Sequence, residues 1–256
     1  MKAQENILQA VTEKVSPIIV LFASLLCILG ICALVAWHSS HTFGKYHNTV
    51  ILTAYNTAIC LGLSGAALFA LIYRQPWLTR IFALVIAILS VLTLIELFTR
   101  ASFNVNFWFI KNPYADGVGG LMSPTTAICL ALISASLFLL SWLRNIFVIP
   151  IVFINIAALT IALIAILGHG AGIVPAFVWL GIKMAIQTAI GICLSTLAAI
   201  LLINRVAIHT FNQLNFFNRI VTGFGFMSML VIAIGSIAFM QIHTVSAITH
   251  KLYESP

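Results

Sequence analysis

Asn56-Thr57-Ala58-Ile59-Cys60-Leu61 decides how this chain is read, because it returns. Thr125-Thr126-Ala127-Ile128-Cys129-Leu130 repeats it, and Gln187-Thr188-Ala189-Ile190 opens a third, weaker copy. Each copy heads a run of about twenty apolar residues, the length that crosses a bilayer as a helix. Asn56 to Leu71 (NTAICLGLSGAALFAL) and Thr125 to Leu140 (TTAICLALISASLFLL) agree at ten of sixteen positions. The third copy, Gln187 to Leu202, keeps Thr-Ala-Ile, a mid-helix Cys-Leu and a Leu-rich end. The copies start at 56, 125 and 187, spacings of 69 and 62 residues, which predicts a protein built from a repeated unit.

Composition sets the class. The 256 residues are 62% hydrophobic and 7% charged, with a mean hydropathy of +1.15. Soluble domains carry about 25% charged residues, so the expected fold is all-α, a polytopic transmembrane helical bundle. The net charge of +7 comes from basic residues scattered singly between apolar runs. That pattern is a topology signal, not the footprint of a nucleic-acid binder. The expected partner is therefore the lipid bilayer, with no nucleic acid. The five cysteines (Cys27, Cys32, Cys60, Cys129 and Cys193) all lie in apolar runs and form no Cys-x-x-Cys. They read as small hydrophobes, not as staples or metal ligands. No cofactor is expected.

Seven spans are predicted, at 17–37, 50–72, 78–99, 123–143, 146–168, 184–204 and 220–241, separating a polar segment 1–16, a six-helix region 17–204 and a tail 205–256. Ile7, Leu8, Val11 and Val15 give segment 1–16 one apolar face, suited to lying on the membrane surface. Ser123 and Pro124 predict a capped start to the fourth helix. Pro150 is expected one turn into the fifth, bending it. Arg74, Arg80, Arg144, Arg205 and Arg219 fall on the side of the N-terminus and only Arg100 on the other; with lysines the balance is seven to five. The positive-inside rule then places the N-terminus in the cytoplasm and the C-terminus outside. Each repeat spans an even number of helices, so the copies run parallel, and their motifs share the outer end of the second, fourth and sixth helices.

Glu96 is the only acidic residue within a predicted span. An ionisable group there is a functional hypothesis by default, a proton-linked switch or a ligand contact. The competing reading pairs it with Arg100, one turn on. Asn56, Thr57, Thr125, Thr126, Gln187 and Thr188 either glue the repeated helices together, helped by small residues at Ser64 to Ala67, Ser134 to Ser136 and Ser195-Thr196, or converge on a small outward-facing pocket. With Glu96 they are the candidate ligand- or signal-sensing residues. His38, His41, His47, His169, His243 and His250 fall on the outer side and His209 on the inner. The loop Arg100 to Met122 carries Phe103, Phe107, Trp108, Phe109 and Tyr114, as an interfacial aromatic belt does. No Gly-x-Ser-x-Gly, His-Glu-x-x-His, Walker or kinase motif occurs, so no catalytic residue and no enzymatic activity of its own are expected.

Two resemblances add to this reading. Leu121-Met122-Ser123-Pro124-Thr125-Thr126-Ala127-Ile128-Cys129-Leu130, preceded by Leu92-Thr93-Leu94-Ile95-Glu96-Leu97-Phe98, resembles the Met-x-Pro-Asn-Thr-Ala and Leu-Thr-Leu-x-Glu-Tyr patterns of bacterial multi-helix membrane sensor regions. Those regions precede the output domains of hybrid sensor histidine kinases and diguanylate cyclases. Thr125 stands here for the usual Asn, and Leu97 for the usual aromatic. Phe216 to Gly225 with Gln241-Ile242-His243 is similar to the first membrane helix of chemoreceptor-type proteins and sensor kinases, and His250 to Pro256 to the start of their periplasmic domain. The resemblance implies a sensory input module in a bacterial inner membrane, truncated before its output, with any kinase or cyclase activity in a missing domain and a homodimer or signalling partner as its assembly. The alternatives are a small transporter or permease subunit with Glu96 as coupling carboxylate, and a structural membrane partner without a ligand.

Overall fold

The structure, a computed structural model, describes residues 17–39, 53–99, 103–109, 120–142 and 147–211. Six helices lie in these stretches: α1 (Pro17–Ser39), α2 (Tyr55–Ile72), α3 (Pro76–Thr99), α4 (Pro124–Leu140), α5 (Val148–Ala171) and α6 (Ile186–Phe211). All but α4 are long and apolar enough to cross a membrane, and the chain is a membrane protein. Segment 1–16, the predicted span 220–241 and Arg100 lie outside the described residues.

The helices divide into two classes. α2, α4 and α6 pack against one another, while α1 lies against α2 and α6, α3 against α2 and α4, and α5 against α4 and α6. Three helices thus form a centre and three fill the grooves around it. Burial follows the same division. The spanning windows of α2 and α6 are 67% and 61% buried, against 22%, 28% and 33% for α1, α3 and α5. The outer helices turn apolar stripes outward, Ile18, Leu21, Leu25, Ile28, Ile31 and Val35 on α1 being all exposed at three- and four-residue spacing. Against lipid such a stripe is solvated by acyl chains. α4, at 17 residues, is about 26 Å long, shorter than a hydrocarbon core of about 30 Å. Ten of its residues are buried, so the surrounding helices, not lipid, are its solvent.

Helix limits follow local chemistry. The Ser123 side chain accepts from Thr126 N at 3.2 Å, the N-cap predicted for α4. α2 begins at Tyr55, five residues later than the predicted span, and α6 runs past 204 to Phe211. The bend predicted at Pro150 is not required. α5 starts at Val148, so Pro150 sits in the first turn, where the backbone N–H has no intrahelical partner to lose. Between α5 and α6 a short hairpin, β1 (Val178–Trp179) with β2 (Ile182–Lys183), pairs antiparallel as Val178↔Lys183 and Trp179↔Ile182. It is the one departure from the all-α expectation among the described residues. Leu180 (φ 53) and Gly181 (φ 78) supply its left-handed turn.

Polar groups join the helices at three depths. Toward the ends of the bundle where α2 stops and α3 starts, Thr79 Oγ1 donates to Ala67 O at 3.2 Å. There Arg80 Nε donates to Ser141 Oγ at 3.1 Å, and the guanidinium lies 4.6 Å from the centre of the Trp142 ring. Mid-bundle, Asn155 Nδ2 donates to Ser136 Oγ at 2.6 Å, tying α5 to α4 through two buried side chains. Asn155→Leu is expected to lower stability by about 1–2 kcal/mol. The double substitution with Ser136→Ala should cost less than the sum of the singles, because the orphaned hydroxyl goes too. Thermal unfolding in detergent measures it; strict additivity would show that the two side chains do not interact.

Candidate functional site

The third level lies at the opposite end, where α2, α4 and α6 begin and α1, α3 and α5 finish. Between each outer helix and the next inner one, the described residues are pinned by that outer helix. At the end of α1, Trp37 Nε1 donates to Thr53 O at 2.8 Å, and His38 Nε2 lies 3.4 Å from Tyr55 OH. At the end of α3, Asn104 N donates to Glu96 Oε1 at 2.8 Å and Val105 N to Oε2 at 3.1 Å. At the end of α5, His169 Nε2 lies 2.8 Å from Met184 O, with its ring stacked on Phe177 at 3.8 Å. A carbonyl oxygen only accepts, so Nε2 carries the proton in that bond.

Each inner helix then reaches the segment of the following pair. Asn56 Nδ2, on α2, donates to Val105 O at 2.7 Å. Thr125 Oγ1, on α4, donates to Met184 Sδ at 3.7 Å, and Thr188 Oγ1, on α6, donates to Thr53 Oγ1 at 3.4 Å. The contacts close on themselves, α2 to the segment before α4, α4 to that before α6, α6 to that before α2. Thr53, Met122 and Met184 each stand three residues ahead of Asn56, Thr125 and Gln187, and all three are buried. Met122 N joins the network by donating to Asn106 Oδ1 at 3.0 Å.

The candidate residues have distinct places in this ring. Asn56, Thr125 and Thr188 make its cross-links. Thr126 is buried in the α4 cap, 2.8 Å from Ser123 Oγ. Thr57 is buried in the first turn of α2. Gln187 Oε1 and Asn56 Oδ1 are buried without a hydrogen-bond partner among the described residues, two acceptors left over at the starts of neighbouring helices. Glu96 is half-buried and does not stand open as a free ligand contact: both its oxygens hold backbone N–H groups of one segment.

That segment, 103–109, is the least expected part of the site. Asn104 takes a left-handed conformation (φ 52, ψ 36), which asparagine tolerates better than most residues. Its own N–H and that of Val105 thereby meet one carboxylate. A 3-10 turn, Val105–Phe107, follows. Val105 and Asn106 are buried, while Phe103, Trp108 and Phe109 remain exposed as a boundary belt requires. Residues 103–109 of the loop predicted as a belt therefore also form a strap over the end of the bundle.

Thr53, Val105 and Met184 were not singled out from sequence; Asn106 and Met122 stood out only as a loop amide and as the start of the resemblance motif, without these contacts. Thr53, Met122 and Met184 share one place in the chain, three residues before each motif copy. No family model, no curated protein and no solved structure matches this chain.

Proposed function

We propose that this chain is the membrane-embedded sensory input module of a bacterial signal-transduction protein. It sits in the cytoplasmic membrane with its N-terminus inside, as three parallel helix pairs grown from one repeated unit, followed by a seventh span over 220–241. The observation that supports this most is the closed ring of contacts at the outer end. A stimulus that displaces one strap alters the support of an inner helix in another pair, so all three pairs report a local event. The inner-three, outer-three packing is what repeated pairs would produce. The signal passes to an output domain or a dimeric partner, which holds any kinase or cyclase activity.

Backbone engagement of both Glu96 oxygens supports the sensory reading over the transporter one. Joining the chain in frame at Pro256 to the output half of a chemoreceptor-type sensor kinase tests the proposal. The ring substitutions Thr188→Val and Glu96→Ala should each shift basal output at least threefold at unchanged membrane level, while Leu163→Ala on the exposed face of α5 should not. Output indifferent to both ring substitutions overturns the sensory reading. Reporter fusions at 144 and 112 should report cytoplasm and exterior respectively, and the reverse would overturn the orientation.

A further inference from the structure

The geometry points to Glu96 as the latch of an acid-released lid, the strap 103–109, closed over the carboxamide of Asn56. Hydrogen bonds tie the strap down at three points. The Glu96 carboxylate takes the N–H groups of Asn104 and Val105, Asn56 Nδ2 takes the Val105 carbonyl, and Asn106 Oδ1 takes Met122 N. Only the first of these involves a group that changes charge. An ionised carboxylate accepts on both oxygens; once protonated, one oxygen becomes a hydroxyl that must itself donate, and two N–H groups converge where one good acceptor remains. The doubly accepting state thus belongs to the ionised form. Protonating that carboxylate therefore loosens the strap.

Among the described residues, the surroundings offer no charged group that would substitute. The elements packed against the outer end of α3 are α2, α4 and the 3-10 turn. α2 brings one titratable group there, Tyr55, whose hydroxyl faces His38. The first turns of α4 (Pro124, Thr125, Thr126) and the turn itself (Val105, Asn106, Phe107) bring none. His169 and Lys183 belong to the α5–α6 side, where His169 is held by Met184 and Phe177. Phe109 packs on the Tyr55 ring at 6.3 Å, an apolar hinge contact that survives a change of charge.

What the lid covers makes it more than a loop clamp. Asn56 is fully buried, its Nδ2 occupied by the strap and its Oδ1 without a partner among the described residues. Lifting Val105 frees the donor edge beside an acceptor that already lacks a partner, and a carboxamide open on both edges suits a ligand that donates and accepts side by side, such as an amide or a neutral carboxylic acid. The inference uses the ring but not the sensory reading: the lid can open whether or not the chain signals.

Hydrogen exchange of the Asn104 and Val105 amides, measured by mass spectrometry on the full chain in lipid nanodiscs, tests it. At pH 7.5 Glu96→Gln and Glu96→Ala should raise exchange at these amides at least tenfold, with protection along α4 retained. Between pH 7.5 and 4.5, corrected for the intrinsic rate, wild-type exchange should rise at least fivefold, and Glu96→Ala should show no further rise. Strap amides as protected in Glu96→Gln as in wild type overturn the latch. So does an acid-driven rise that persists in Glu96→Ala, or one abolished by His38→Gln with His169→Gln. Should the Glu96 variants fail to fold, the wild-type and histidine-variant titrations decide alone, and a flat wild-type profile overturns the lid.

Discussion

Asn56→Asp is expected to destabilise the protein by about 3 kcal/mol at neutral pH, the scale of a buried charge without compensation. Asn56 is fully buried and donates from Nδ2 to Val105 O at 2.7 Å. An ionised aspartate in its place aims an acceptor at an acceptor. Asn56→Leu, which only leaves the Val105 carbonyl unpaired, should cost less, about 1–2 kcal/mol. The pH dependence separates the two further. A protonated aspartic acid keeps an O–H that can donate to Val105 O, so the folded state binds that proton more tightly than the unfolded chain. Its stability relative to wild type is then present in acid and lost as the pH rises. Thermal unfolding of both variants and wild type across pH 5 to 8 shows this as a gap that widens for Asn56→Asp and stays level for Asn56→Leu. An Asn56→Asp protein as stable as wild type at pH 8 would remove Asn56 from the buried ring.

The helical class and five of the spans could be read from apolar runs, because a helix in lipid must be apolar along its whole length. Parity alone put Asn56, Thr125 and Gln187 at one end, since chain direction alternates with each crossing. The bonds they make were not legible. The partners of Asn56 and Thr125 are a loop carbonyl and a methionine sulfur, and no periodicity marks either. Glu96 shows the same limit. Helical spacing sees Arg100 on the same face, but it cannot see that the chain doubles back eight and nine residues later to offer two N–H groups. Small residues were legible as close approach, though not which helix each would meet. Gly65 faces α1, where an added Cβ would lie 2.7 Å from Ala23 O. Pro150 was misplaced because a first turn and a second turn look alike in an apolar run, and only the start at Val148 separates a harmless proline from a bend.

Gly30→Ala should be strongly damaging, and Gly62→Ala, which faces it, should be harmless. The two helices α1 and α2 touch through these glycines, but not symmetrically. A Cβ on Gly30 would lie 2.7 Å from Gly62 N, 2.8 Å from Ala58 O and 2.8 Å from Gly62 Cα. All three are backbone atoms of α2, so no rotamer change makes room and the helices must separate. A Cβ on Gly62 has nothing nearer than Gly30 Cα at 3.9 Å, an ordinary contact. Helix propensity favours alanine over glycine by about 1 kcal/mol at an interior position. At Gly62 that gain is unopposed; at Gly30 it is overwhelmed by an overpacking cost of about 3 kcal/mol. Gly191→Ala falls between them, because its Cβ meets only the Leu61 side chain, at 2.8 Å from Cδ2, and a leucine can turn away. The order of unfolding temperatures should be Gly62→Ala at or above wild type, then Gly191→Ala, then Gly30→Ala well below. The separation forced by Gly30→Ala would also draw Trp37, one end of the ring, off Thr53 O, so exchange at the α2 entry should rise in that variant alone. Gly30→Ala and Gly62→Ala unfolding together would mean that α1 and α2 do not cross at this pair.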